Sequence, residues 1–62
     1  MNSQWRKKFD FLVDAIDKIE TTFELLQVQR LIEDFVATYN PKEIYKIFLD
    51  VKIKNCVKRL YE

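Results

Sequence analysis

The stretch EIYKIFLDVKIKNCV, residues 43–57, decides the fold, because a helix at this place has apolar side chains on two opposite sides. At about 100° per residue, one apolar stripe runs along the whole helix and is its natural core face. It comprises Tyr45, Leu49, Ile53, Cys56, Val57 and Leu60. A second set lies on the other side and only in the first half: Ile44, Ile47, Phe48 and Val51.

Two interpretations of the second set stay open. In one, other helices cover both sides of this helix, or it bends near Asp50 so that each half buries its own face. In the other, the set is exposed and forms an interface, since four such side chains approach the size of patch that soluble monomers rarely leave bare. The second interpretation predicts an apolar contact with a charged rim. The predicted rim is Asp50, Lys54, Lys58 and Arg59.

Two further helices are predicted upstream, each with apolar residues at alternating spacings of three and four. The first carries Trp5, Phe9, Leu12, Ile16 and Ile19, with Ser3 as its expected N-cap. The second carries Leu25, Val28, Ile32, Phe35 and Tyr39. The spacing places each set on one side of its helix, facing a common core.

The boundaries follow from local chemistry. Thr21 and Glu24 fit a capping box, which predicts a new helix at residue 22, although one long helix through the threonines is the alternative. Asn40-Pro41 ends that helix and predicts a third helix from Pro41 with Asn40 as its cap. The expected fold is all-α, in one domain over residues 1–62 with helices at about 4–20, 22–39 and 41–60. It is a small three-helix bundle, or a helical hairpin plus a third helix.

The length of 62 residues limits how the fold is stabilised. A chain of this size buries only about 60% of the surface that its unfolded form exposes. Cys56 is the only cysteine and there is no histidine, so neither an internal disulfide nor a zinc site is expected. Association with another chain is the remaining way to stabilise so small a fold. We therefore expect a homodimer, with no metal and no cofactor.

The absence of glycine excludes several kinds of catalytic or ligand-binding site. Phosphate-binding loops, dinucleotide fingerprints and nucleophile elbows all need glycine where the backbone turns sharply or approaches a ligand. Asp10, Asp14 and Asp17 share one side of the first helix, and such a set is ordinarily a solvated acidic face. The sequence therefore predicts neither an enzyme nor a small-molecule substrate.

No apolar run approaches the roughly 18 residues needed to span a bilayer. The polar faces of the first two helices are acidic, which does not favour binding to a membrane surface. The start of the chain lacks the pattern of a secretory signal. A cytoplasmic location without membrane partners is the expectation.

Charge is distributed by segment: both ends of the chain are basic and the middle is acidic. One interpretation is intramolecular complementarity, with acidic helices packed beside a basic one. The alternative is nucleic-acid binding through the basic third helix, chiefly Lys52, Lys54, Lys58 and Arg59. The near-neutral total charge favours the first interpretation.

From about residue 25 to 61, the sequence predicts a helix, a short break and a longer helix that carries an aspartate followed by a base. This order resembles that of the Hha-type modulators of bacterial nucleoid proteins. Those are small helical proteins that bind a larger DNA-binding partner, and the resemblance would make Asp50 a partner-contact residue. The family's Ala-Ala-Asp-His-Arg stretch is Phe-Leu-Asp-Val-Lys at residues 48–52, so only the acid and one base are shared.

Taken together, these features predict a stand-alone regulator or inhibitor, of the kind found in phages and plasmids, that acts by protein-protein binding through a helical surface. Its partner is another protein or a second copy of itself. A nucleic-acid-binding or nucleoid-associated transcription modulator is the alternative.

Overall fold

The computed structural model describes residues 4–62 and confirms an all-α fold with three helices. These are α1 (Gln4–Asp17), α2 (Thr22–Tyr39) and α3 (Glu43–Tyr61). Contacts between helix ends give their directions. The ring centroids of Trp5 and Tyr45 lie 5.0 Å apart, so α1 and α3 begin at the same end. The hydroxyl groups of Thr22 and Tyr61 share a hydrogen bond of 2.5 Å, so α2 begins where α3 ends. The helices therefore run up, down and up.

The core lies between the three helices and matches the predicted stripes. Its buried members are Phe9, Leu12, Ile16, Ile19, Leu25, Val28, Phe35, Leu49 and Cys56. Trp5, Ile32, Tyr39, Tyr45, Ile53 and Leu60 are partly buried against them. Helix α1 packs against both other helices, whereas α2 and α3 contact each other least. The prediction for Val57 was wrong: this side chain is 36% exposed, because it lies at the margin of the α3 stripe beyond the reach of α1 and α2.

The break between α1 and α2 confirms the predicted capping box. Thr21 has an extended backbone, and its hydroxyl accepts from the Glu24 amide at 3.1 Å while the Glu24 carboxylate accepts from the Thr21 amide at 3.1 Å. Helix α1 ends at Asp17 rather than near residue 20. The amides of Lys18 and Ile19 bond to carbonyls three residues back, which tightens the chain out of the α-helix before it becomes extended. The predicted N-cap Ser3 lies outside the described residues.

The connection between α2 and α3 corrects the role predicted for Asn40. Asn40 adopts the left-handed conformation (φ 43°) and is the C-cap of α2, with its amide bonded to the Val36 carbonyl at 2.8 Å. Asparagine tolerates this conformation better than most residues. Helix α3 consequently begins at Glu43, two residues after Pro41, and its N-cap is Lys42.

Candidate protein-binding surface

Four apolar side chains of α3 face away from the core, and we call them the α3 outer face. Ile44, Ile47, Phe48 and Val51 are 69%, 55%, 45% and 48% exposed. Leu49 and Cys56 are buried, and seven residues, or two helical turns, separate them. Both halves of α3 therefore turn the same side to the core. The interpretation in which α1 and α2 cover both sides, or in which each half buries its own face, was wrong.

Phe48 lies at the margin of the α3 outer face. Its ring centroid is 5.8 Å from that of the buried Phe9, which in turn lies 5.2 Å from Tyr45. Edge and tilted contacts at these distances are favourable for aromatic pairs. Phe48 thus joins the exposed surface to the aromatic part of the core. Any substitution of Phe48 changes both, so Ile44, Ile47 and Val51 are the cleaner probes of the surface.

The charged residues beside the α3 outer face differ in what they do. Lys54 and Asp50 form an ion pair of 3.1 Å one helical turn apart, and both side chains are largely exposed. Lys58 is exposed, and its side chain makes no hydrogen bond or ion pair with the residues that the structure describes. Arg59 instead turns toward the core, where its Nη2 atom donates to the carbonyl of Ile19 at 2.7 Å. Asp50, Lys54 and Lys58 therefore face outward, and Arg59 has a structural contact.

Sequence reasoning missed one charged residue at this surface. Glu43 is exposed in the first turn of α3, where a carboxylate is favoured by the helix dipole. At about 100° per residue, it lies on the same side of the α3 outer face as Ile47 and Lys54. The signal was present in the sequence, but the predicted helix start at Pro41 made Glu43 look like a capping residue.

The bases of α3 do not form an open positive surface. Lys52 pairs with Asp17 of α1 at 2.6 Å, and its side chain is mostly buried. Lys46 donates to the side-chain oxygen of Asn40 at 3.4 Å. Arg59 is held by backbone carbonyls, so two of the four bases proposed for phosphate contact, Lys52 and Arg59, already bind distant parts of the chain. The Lys52–Asp17 pair joins the basic third helix to the acidic first one, as intramolecular complementarity predicts.

Two smaller apolar surfaces lie elsewhere. Phe11 and Leu31 are exposed and line shallow grooves of about 310 Å³ each between α1 and α2. Phe23 and Leu26 are exposed at the start of α2, beside a shallow depression. Each of these surfaces offers two large side chains, whereas the α3 outer face offers four on two successive turns. The α3 outer face is therefore the strongest candidate for a binding surface.

The three aspartates of α1 all have partners among the basic residues of the described chain. Asp10, Asp14 and Asp17 each form a surface ion pair, with Arg6, Lys18 and Lys52 respectively. Cys56 is buried and free. The described part of the chain, residues 4–62, holds no cluster of three or more potential metal ligands. Nor does any helix in it combine the length and apolarity needed to cross a bilayer.

Comparison with protein-family models, with curated proteins and with solved structures finds no match for this chain. The resemblance to the Hha-type modulators therefore rests on the few residues quoted above. The function has to be argued from the surface of the molecule itself.

Proposed function

We propose that this chain is a small regulatory or inhibitory protein that acts by binding protein through the α3 outer face. The observation that carries the proposal is the exposure of Ile44, Ile47, Phe48 and Val51 on a helix whose other side is already buried. Leaving these side chains in water gains nothing for the folded chain, so a contact that covers them is the simplest reason for their presence.

The spacing of the four residues supports a particular mode of binding. They occupy positions i, i+3, i+4 and i+7 of α3, the set that an amphipathic helix uses when it lies in an apolar groove of another protein. Asp50, Lys54 and Lys58 flank this stripe and would form its polar rim. By occupying such a groove, a 62-residue chain could block or alter the activity of a larger protein.

The contacts of the α3 bases make nucleic-acid binding the weaker proposal. Phosphate contact needs cations that are free to replace counterions. Lys52 and Arg59 are held by Asp17 and by backbone carbonyls, and Lys54 is next to Asp50. Binding to duplex DNA that weakens steeply with salt, and that is lost when Lys54 and Lys58 are neutralised, would favour this alternative.

Site-specific photo-crosslinking in cells tests the proposal. A benzophenone amino acid replaces Ile47, and a matched variant carries it at Leu26, which is similarly exposed on α2. We expect protein adducts from position 47, and their loss when Val51→Asp is added, because the carboxylate would be buried unpaired in the contact. The absence of adducts from position 47, or equal adducts from both positions, would contradict the proposal.

A further inference from the structure

We infer that the α3 outer face binds a second copy of this chain, with the two α3 helices antiparallel and Phe48 next to the two-fold axis. This inference rests on the proposed function and identifies the bound protein as a second copy of the chain. It follows from two properties of the face, its apolar register and its charge.

The apolar residues of the α3 outer face are self-complementary in the antiparallel direction. A two-fold axis beside Phe48 relates the two copies. A residue that precedes position 48 in one copy therefore contacts a residue of the other copy that follows position 48 by a similar number of positions. Phe48 then lies beside Phe48 of the second copy. Ile44, four residues before, faces Val51, three residues after, and the same pair repeats by symmetry. Ile47 lies between these contacts, so the whole set is covered at one register.

The charges at the margin agree with the same register. Glu43 precedes Phe48 by five residues and Lys54 follows it by six, so each faces the other on the opposite copy. Both lie on the Ile47 side of the stripe, and an antiparallel two-fold axis keeps that side together in the two copies. Two symmetric ion pairs therefore form between the copies. In a parallel pair the Ile47 sides of the two copies would lie on opposite sides of the contact, so Glu43 and Lys54 would not meet and these ion pairs would be absent.

The size of the face sets the strength of the dimer. Four side chains expose a few hundred Å² per copy, so the area covered in total lies at the lower end of specific interfaces. The dimer is therefore weak and in equilibrium with the monomer. Binding of another protein to the same face would compete with this equilibrium, and a chain of 62 residues gains stability from either event.

The solution mass over a wide concentration range tests the inference. In sedimentation equilibrium, the average mass of the 62-residue chain should rise from 7.6 kDa toward twice that value. Ile47→Asp should abolish the rise, whereas Leu26→Asp, the same change on the exposed side of α2, should leave it unchanged. A mass that stays monomeric for the unsubstituted chain into the millimolar range would overturn the inference.

Charge exchange tests the register. Glu43→Lys alone and Lys54→Glu alone should each weaken the dimer by about fivefold or more, because each replaces two attractive pairs with two repulsive ones. The double variant Glu43→Lys/Lys54→Glu should restore the original dissociation constant. Circular dichroism of each variant shows whether helicity is retained. If both single variants dimerise like the original chain, or if the double variant is no stronger than the single ones, the antiparallel register is wrong.

The two proposals fail in different ways. If the chain stays monomeric while position 47 still forms adducts with a different protein in cells, the α3 outer face is a binding surface for that protein and the inference of a second copy falls. If position 47 forms no adduct with any protein, including a second copy, the proposed function falls as well.

Discussion

The guanidinium of Arg59 binds the carbonyl of Ile19, with Nη2 and the oxygen 2.7 Å apart, and so joins the last turn of α3 to the segment that follows α1. The same nitrogen also lies 3.3 Å from the carbonyl oxygen of Ile16. The last carbonyls of a helix have no partner within it, and a cation at this end is favoured by the helix dipole. Arg59 therefore donates to the carbonyl of Ile16 in the last turn of α1 and to that of Ile19 two residues after the helix ends.

Replacing Arg59 by alanine should destabilise the fold. We expect Arg59→Ala to lower the free energy of unfolding by about 1.5–3 kcal/mol, the range for hydrogen bonds to a charged group. Lys58→Ala is the matched control, since it removes the same charge from the neighbouring residue and should change the stability by less than about 0.5 kcal/mol. Urea unfolding followed by circular dichroism measures both. Equal losses for the two variants would mean that the charge, and not the carbonyl contact, is what matters.

Removing the capping box should weaken the start of α2. Thr21→Ala deletes the hydroxyl that accepts from the Glu24 amide at 3.1 Å, and N-cap substitutions of this kind cost about 1 kcal/mol. Thr38→Ala, the same change at an exposed position in the last turn of α2, should be neutral or slightly stabilising because alanine has the higher helix propensity. Thermal unfolding compares the two. If Thr21→Ala proves as harmless as Thr38→Ala, the box does not define the boundary.

The features that the sequence predicted correctly depend on residues close together in the chain. The capping box needs only Thr21 and Glu24, and the core stripes of α1 and α2 need only the three-four spacing of neighbours. Even the two apolar sides of α3 are visible in residues 43–57 alone. Local chemistry and helical periodicity therefore determine the number of helices and the side that each turns inward.

The features that the sequence could not predict depend on how the helices lie against each other. The positions of α1 and α2 decide whether the four residues of the α3 outer face are buried. In the structure, α1 and α2 leave that side of α3 uncovered. The contact of Arg59 with Ile19 joins residues forty positions apart, which helical spacing cannot show. Asn40 suits two adjacent helix ends, and only its left-handed backbone shows which one it caps. Each of these features thus concerns a choice that spacing alone leaves open.

Burial of the one thiol predicts slow chemical labelling. Cys56 is 1% exposed, and the Nη2 atom of Arg59 lies 3.7 Å from its sulfur. A thiol-specific reagent should therefore label native protein only as fast as the chain opens, and should label it at once in denaturant. Arg59→Ala should speed native labelling, since it loosens the same end of the bundle. Rapid labelling of the native protein would mean that the thiol is accessible.

Two residues separated by a single position distinguish the core side of α3 from the α3 outer face. Leu49 is 1% exposed and Ile47 is 55% exposed, so we expect Leu49→Ala to cost about 2–5 kcal/mol of unfolding free energy and Ile47→Ala to cost less than about 0.5 kcal/mol. The measurement should be made at the lowest usable protein concentration, because dimerisation would add to the apparent stability. At high concentration Ile47→Ala should lose that added stability, while Leu49→Ala is destabilised throughout. Similar costs for both variants in dilute solution would show that Ile47 is part of the core, and the α3 outer face would then no longer be a free surface.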